Sequence, residues 1–177
     1  MIIRDTKLEG VFLVEPELRE DERGFFTHVW TRRELAARGV ACDFAECNAS
    51  FSRRRGTLRG MHYQAAPHGQ AKLVRCTRGS IYDVGIDLRP GSPTFRQWVG
   101  FELSALNRRM LYLPAEFAHG FQTLEDDTEV LYMTSAPYAP ESGRGVRWDD
   151  SAFGVRWPEV GERTLIARDR EYPDFAA

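Results

Sequence analysis

Hydrophobic residues along this chain recur at alternate positions in short runs, and hardly anywhere at the spacing of a helix. Residues 57–64, 72–77, 81–88, 94–103, 110–113 and 128–134 carry β-branched, aromatic and long aliphatic side chains interleaved with polar ones, the pattern of half-buried strands. In 94–103 the alternation turns Phe95, Val99, Phe101 and Leu103 inward, and in 128–134 it puts Val130, Tyr132 and Thr134 on one face. Turn signals separate the runs: Pro67 and Gly69, then Arg78-Gly79, then Arg89-Pro90-Gly91-Ser92-Pro93, then residues 104–107, then Pro114. Upstream, 11–14 reads as a short strand, 16–22 as a polar turn and 43–52 as an extended polar stretch ending in the basic turn Arg53-Arg54-Arg55-Gly56. One helix stands out over 32–38, because Thr31-Arg32-Arg33-Glu34 has the capping-box form and Gly39 is placed to end it. Residues 141–154 are Gly-rich, charged and loop-like, and 164–175 close the chain with Arg168-Asp169-Arg170 ahead of Pro173. Many short strands with turns every eight to twelve residues predict an all-β fold, a jelly-roll sandwich or barrel with a few short helices.

A length of 177 residues predicts one domain across residues 1–177 with a core of its own. With 24 basic and 26 acidic residues the net charge is -2, which gives no blanket attraction to nucleic acid or to an anionic membrane, so any anion binding must be local. Cys42, Cys47 and Cys76 form neither a spaced metal motif nor an even disulfide set, and the first ten residues lack the apolar core of a signal peptide. A reducing cytoplasm is expected, and no run approaches the roughly 20 apolar residues that span a bilayer.

Candidate chemistry concentrates in residues 56–84, which place Arg59, His62, Gln64 and Lys72 on two successive strands. A strict pleat puts Leu58, Gly60, His62 and Gln64 on one face and Arg59, Met61 and Tyr63 on the other. Arg59 and His62 therefore share a pocket only if Gly60 sits in a bulge or bend, and that irregularity is predicted. His62 also suits a hydrogen-bonded core position, and Arg23 in Asp21-Glu22-Arg23-Gly24-Phe25-Phe26 reads either as a phosphate donor or as a turn arginine beside two core phenylalanines. Inward histidines in a jelly roll invite a metal site, but the pattern is broken: Tyr63-Gln64 follow His62, and Lys72 stands seven residues before Gly79 where an acid is needed. An ammonium there repels a divalent cation, so no metal is expected. What remains is an acid-base set of imidazole (His62), phenol (Tyr132) and ammonium (Lys72), with a carboxylate to orient the imidazole that the pattern does not identify. Such a set suits proton abstraction beside a carbonyl, with lysine stabilising the enolate.

The runs Leu58-Arg59-Gly60-Met61-His62-Tyr63-Gln64, Ala71-Lys72-Leu73-Val74-Arg75, Phe117-Ala118-His119-Gly120-Phe121, Arg23-Gly24-Phe25-Phe26 and Arg168-Asp169-Arg170 together resemble the dTDP-4-dehydrorhamnose 3,5-epimerase family. The resemblance spans residues 1 to 175. It implies a cupin-type jelly roll, a homodimer with exchanged strands, no metal or other cofactor, and epimerisation of a nucleotide-diphosphate-linked 4-keto-6-deoxy sugar at C3, C5 or both. By position it makes His62 the general base, Asp169 its partner, Tyr132 the acid on the opposite face, and Lys72 the neighbour of the ketone oxygen. Arg59 and His119 match residues that hold the diphosphate, where a guanidinium fork suits paired phosphate oxygens. Arg23, Phe26 and Asn48 line the same channel, and Tyr138 matches an aromatic near the nucleobase. Departures gather at the nucleoside end, with His28 in place of a Glu and Glu46-Cys47-Asn48-Ala49 in place of Gln-Asp-Asn-His. They leave thymidine, cytidine and guanosine open and point away from thymidine. The rival readings are a 3,4-ketoisomerase and a non-catalytic sugar-nucleotide-binding cupin.

Overall fold

Strands with one apolar face need a second such face to cover them, and here two antiparallel sheets supply it to each other. The computed structural model describes residues 1–40 and 43–176, so Cys42 lies outside the described residues. The first sheet is built from β1 (Ile2–Asp5), β2 (Phe12–Glu15), β5 (Glu46–Ser52), β7 (Lys72–Arg78), β10 (Met110–Leu113) and β12 (Thr128–Thr134), in the order β1-β2-β10-β7-β12-β5. The second holds β6 (Leu58–Gln64), β8 (Ser80–Asp87), β9 (Trp98–Ser104), β11 (Phe117–Thr123) and β13 (Gly143–Gly145), in the order β13-β6-β11-β8-β9. β3 (Arg19–Asp21) and β4 (Gly24–Phe26) form a hairpin whose strands pair only with each other among the described residues. The result is the expected all-β jelly roll, with helix α1 (Arg32–Ala36), one 3₁₀ turn (Pro140–Ser142) and helix α2 (Ala167–Arg170) as its helical parts.

Alternation sorts the apolar residues into three buried groups. Leu13, Val74, Ile81, Leu103, Leu111, Phe117 and Val130 meet between the sheets. Val14, Leu35, Leu73 and Met110 lie on the outer face of the first sheet under α1. On the outer face of the second sheet, Met61, Val84, Ile86 and Ala118 are covered by Val146 and Phe153. Helix α1 starts as predicted, with the Thr31 hydroxyl oxygen accepting the Glu34 amide at 3.3 Å, and Gly39 at φ +70° ends its run.

Three readings change. Strand β9 begins at Trp98, not 94, because Ser92 and Thr94 both donate to the buried Asp87 carboxylate at 2.6 Å and wind residues 89–97 into turns. Phe95 consequently leaves the inter-sheet core and sits 6.2 Å from Phe175, ring centre to ring centre. The 16–22 turn contains β3, and Phe25 and Phe26 are not core residues: they are 47% and 58% exposed. Among the described residues no helix is long and apolar enough to cross a membrane, and Cys47 and Cys76 are free thiols, exposed and buried respectively.

Candidate active site

One end of the space between the sheets is polar where the other is packed with aliphatic side chains. A cavity of about 420 Å³ opens there, lined among others by Arg59, His62, Lys72, His119, Tyr132 and Asp169. Strands β6 and β11 from one sheet and β7 and β12 from the other carry the first five of these, and α2 carries Asp169.

The predicted irregularity at Gly60 is what lets Arg59 and His62 serve the same cavity. Pairing of β11 with β6 runs His119↔His62 and then Phe121↔Arg59, a register shift that drops one step of the ladder. Gly60 has φ +135°, and a Cβ there would lie 2.5 Å from the Cα of Gly120 on the facing strand. Only glycine tolerates both conditions. Its amide, displaced from the ladder, donates to Asp169 Oδ2 at 3.1 Å.

Asp169 reaches this place on a C-terminal strap. Thr164 bridges Thr57 in parallel, with its carbonyl accepting the Leu58 amide at 2.9 Å and its own amide donating to Gly56 at 3.0 Å. The side chain of Asp169 is 2% exposed, and its Oδ1 lies 2.7 Å from His62 Nε2. Burial pushes the Asp169 carboxyl up. The bond from His62, the imidazole's charge, the Gly60 amide and the Arg168 charge outweigh burial, so the group is held below the usual carboxylate range. Arg168 Nη2 also approaches His62 Nε2, at 3.3 Å. One nitrogen cannot donate to Asp169 and accept from Arg168 together, and the shorter contact to a buried carboxylate decides that Nε2 carries the proton.

Lys72 is buried, and Nζ donates to the His62 carbonyl oxygen at 3.2 Å. Burial pushes its ammonium down to about 8, against the charge of Asp83, which raises it. Burial likewise pushes the Tyr132 phenol above its ordinary value, Arg59 pulls it back, and Glu46 adds to the rise. His119 Nε2 lies 2.7 Å from Oδ1 of the fully buried Asp83. Arg59 donates to Ser52 Oγ at 3.2 Å and to the Phe51 carbonyl at 3.0 Å.

The remaining candidates stand elsewhere in the chain. Glu46, Asn48 and Tyr138 line an adjoining pocket of about 310 Å³ that shares Tyr132 with the first, and Glu46 Oε1 accepts the Tyr138 amide at 3.1 Å. His28 lines a separate pocket beside α1 and sits edge-on to Phe26. Arg23 is 83% exposed at the hairpin tip and paired with Asp21 at 2.6 Å. Gln64 serves the fold, holding the His68 carbonyl at 2.7 Å and the Ala139 amide at 2.8 Å. Alternation alone does not single out Arg168 or Asp83. For Asp83 a signal existed, since 81–88 is a mostly apolar strand that nonetheless carries two carboxylates, Asp83 and Asp87, both of them buried.

A family model described as dTDP-4-dehydrorhamnose 3,5-epimerase matches residues 5–177. The chain is 43% identical over 179 aligned residues to the dTDP-4-dehydrorhamnose 3,5-epimerase of Sinorhizobium fredii, covering 99% of this chain and 90% of that protein. It superposes with TM-score 0.94 and 41% identity on the crystal structure of dTDP-4-dehydrorhamnose 3,5-epimerase from Bacillus anthracis with TDP and PPi bound, covering 98% and 99% of the two chains. It also resembles ChmJ, a 3′-monoepimerase from Streptomyces bikiniensis solved with dTDP-quinovose, with TM-score 0.86, 36% identity and coverage of 96% and 85%.

Proposed function

The chain belongs to the dTDP-4-dehydrorhamnose 3,5-epimerase family, and on that premise we propose how its own residues divide the reaction. The protein is an isomerase that epimerises a nucleotide-diphosphate-linked 4-keto-6-deoxy sugar beside its ketone. His62 is the general base. With Nε2–H donated to an ionised Asp169, the lone pair available to a C–H proton is on Nδ1, and the buried carboxylate stabilises the imidazolium that forms. Loss of the proton leaves an enolate whose oxygen faces the Lys72 ammonium. Tyr132 keeps its proton well beyond neutral pH and returns it from the opposite side, which inverts the carbon. Arg59 and His119 take the diphosphate, and Asn48, Glu46 and Tyr138 extend the channel toward the nucleoside.

The observation that carries this reading is the convergence of His62, backed by Asp169, with Lys72 and Tyr132 on one cavity. A 3,4-ketoisomerase would move the carbonyl and needs no acid opposite the base, so the presence of Tyr132 favours inversion. The nucleoside in this reading is thymidine, as in the two ligand-bound relatives, and not the other base toward which positions 28 and 46 pointed. Glu46 accepts a backbone amide, a duty independent of the base. We place Arg23, Phe26 and His28 in the site of a second copy, making a homodimer with exchanged elements. The support is a hairpin that pairs, among the described residues, only with itself and bears two exposed phenylalanines. A single domain working in a reducing cytoplasm accords with the free thiols of Cys47 and Cys76.

The test is proton exchange in heavy water, read by NMR on dTDP-linked 4-keto-6-deoxyglucose. Native protein should wash deuterium into C3 or C5 and invert it. His62→Asn should lose exchange by roughly 10²- to 10⁴-fold, whereas Tyr132→Phe should keep exchange longer than net inversion. Near-normal turnover by folded His62→Asn would sink the assignment of the base. Simultaneous loss of exchange and inversion in Tyr132→Phe would remove Tyr132 as the acid.

A further inference from the structure

A base gripped at one nitrogen is only half oriented. Asp169 takes Nε2 of His62, and a ring attached through one hydrogen bond can still pivot about it, carrying Nδ1 away from the C–H it must meet. Whether the imidazole pivots depends on what stands beside it in the sheet.

His62 lies between two strands: the residue opposite it is His119 on β11 and Gly145 on β13. Side chains of directly opposed residues stand next to each other on one face, so Gly145 provides no neighbour for the imidazole on the β13 side. Another residue takes that place. A Cβ at Gly145 would overlap the Cζ, Cε2 and Oη atoms of Tyr172, so the Tyr172 ring lies where a side chain of residue 145 would stand. Its centre is 6.4 Å from that of the His62 ring, with the two planes inclined at 69°, the edge-to-face arrangement that aromatic pairs favour. Tyr172 is not among the residues lining the cavity, so it meets the imidazole without obstructing the substrate's side.

The chain holds this ring from both directions. Three residues before it stands Asp169, paired with His62 and with the Gly60 amide. Three residues after it stands Phe175, whose amide donates to Oδ2 of the buried Asp150 at 2.7 Å and whose ring centre lies 5.0 Å from that of Phe153. Tyr172 is thus set on a span fastened at both ends to the second sheet and the turns that cover it.

Building on the reading of His62 as the base, we propose that Tyr172 is a positioning residue for the epimerisation: its ring packs beside the imidazole in place of a side chain at Gly145 and stops the pivot that Asp169 alone permits. The strap then orients the base twice, by charge through Asp169 and by shape through Tyr172.

The freedom of the imidazole is measurable without turnover. In full-length protein carrying ¹³C-labelled histidine, relaxation of the His62 ring C–H, assigned by its absence from His62→Asn, reports how tightly that ring is held. In Tyr172→Ala the ring should gain motion and kcat should fall by roughly 10- to 10²-fold, while KM, set by the diphosphate contacts, stays within about twofold. Tyr172→Phe, which keeps the ring, should restore both. Gly145→Ala pushes the Tyr172 ring aside and should reproduce the loss, yet in Tyr172→Ala it should add nothing, because the two changes remove one contact. Native rigidity of the imidazole in a folded Tyr172→Ala, or losses that add in the double variant, overturns the proposal. If Tyr172→Ala does not fold, Gly145→Ala decides alone, and native rigidity there overturns it equally. Activity surviving in His62→Asn refutes instead the reading of the base, while the relaxation data still decide whether Tyr172 holds the ring.

Discussion

Lys72 shows how a single side chain can be chosen against the stability of its own fold. Its pKa in the folded protein is about 8, against 10.5 unfolded, so at neutral pH the folded state holds a proton under a penalty of roughly 3 kcal/mol. The unfolded chain binds more protons only between those two values, hence this residue's contribution to stability is lowest below about 8 and recovers as pH rises toward 10.5. Lys72→Met should therefore raise stability at neutral pH by up to about 3 kcal/mol while abolishing epimerisation. Urea unfolding of both proteins at neutral pH and again near 10.5, where the gap should close, checks the sign. At the nucleoside end, kcat/KM should be highest for the thymidine form of one 4-keto sugar among thymidine, uridine, cytidine and guanosine diphosphates. A cytidine or guanosine preference that His28→Glu reverses would reinstate the expectation drawn from the substitutions at 28 and 46. Arg59 and His62 were legible because they stand on one strand, where their chemistry conflicts with a strict pleat and points to a bend at Gly60 between them. Asp169 was legible only by resemblance, since it stands 107 residues from His62 and local periodicity carries no information about a partner that distant.

Strands were easiest to read where one face is buried, as in 128–134, or both are, as in 72–77, and hardest where neither face is. β1 and the β3–β4 hairpin are short and mostly exposed, so no alternation marks them. Residues 94–97 misled for a different reason: side-chain hydrogen bonds to Asp87 outcompete strand pairing there. The bend in β6 was legible from a contradiction, two chemically matched residues on opposite faces with a glycine between them. Its consequence is testable at the level of the strand. Gly60→Ala puts a methyl group against the Gly120 backbone and onto a positive φ, and should destabilise by roughly 1–3 kcal/mol. It should also lower turnover, because Arg59, His62 and the amide that holds Asp169 all depend on that one residue. Denaturation midpoints together with exchange rates measure both effects, and wild-type turnover in a folded variant would refute the geometric account of the site.

For the molecule as a whole, the β3–β4 hairpin, whose strands pair only with each other among the described residues, carries the test of the dimer. Arg23→Ala damages a hairpin and His62→Asn damages a cavity. If each hairpin completes the other subunit's cavity, co-refolding the two inactive variants should restore about one quarter of native activity, since half the dimers are mixed and each mixed dimer has one intact site. No recovery would return the hairpin to its own chain. The C-terminal strap has a consequence of another kind. On the ribosome, every strand of both sheets, His62 among them, is made before residue 146, yet the carboxylate that orients the imidazole follows His62 by 107 residues. A nascent chain thus carries a base without its partner. The pair of base and carboxylate is completed only when the strap threads beside Thr57 and delivers Asp169.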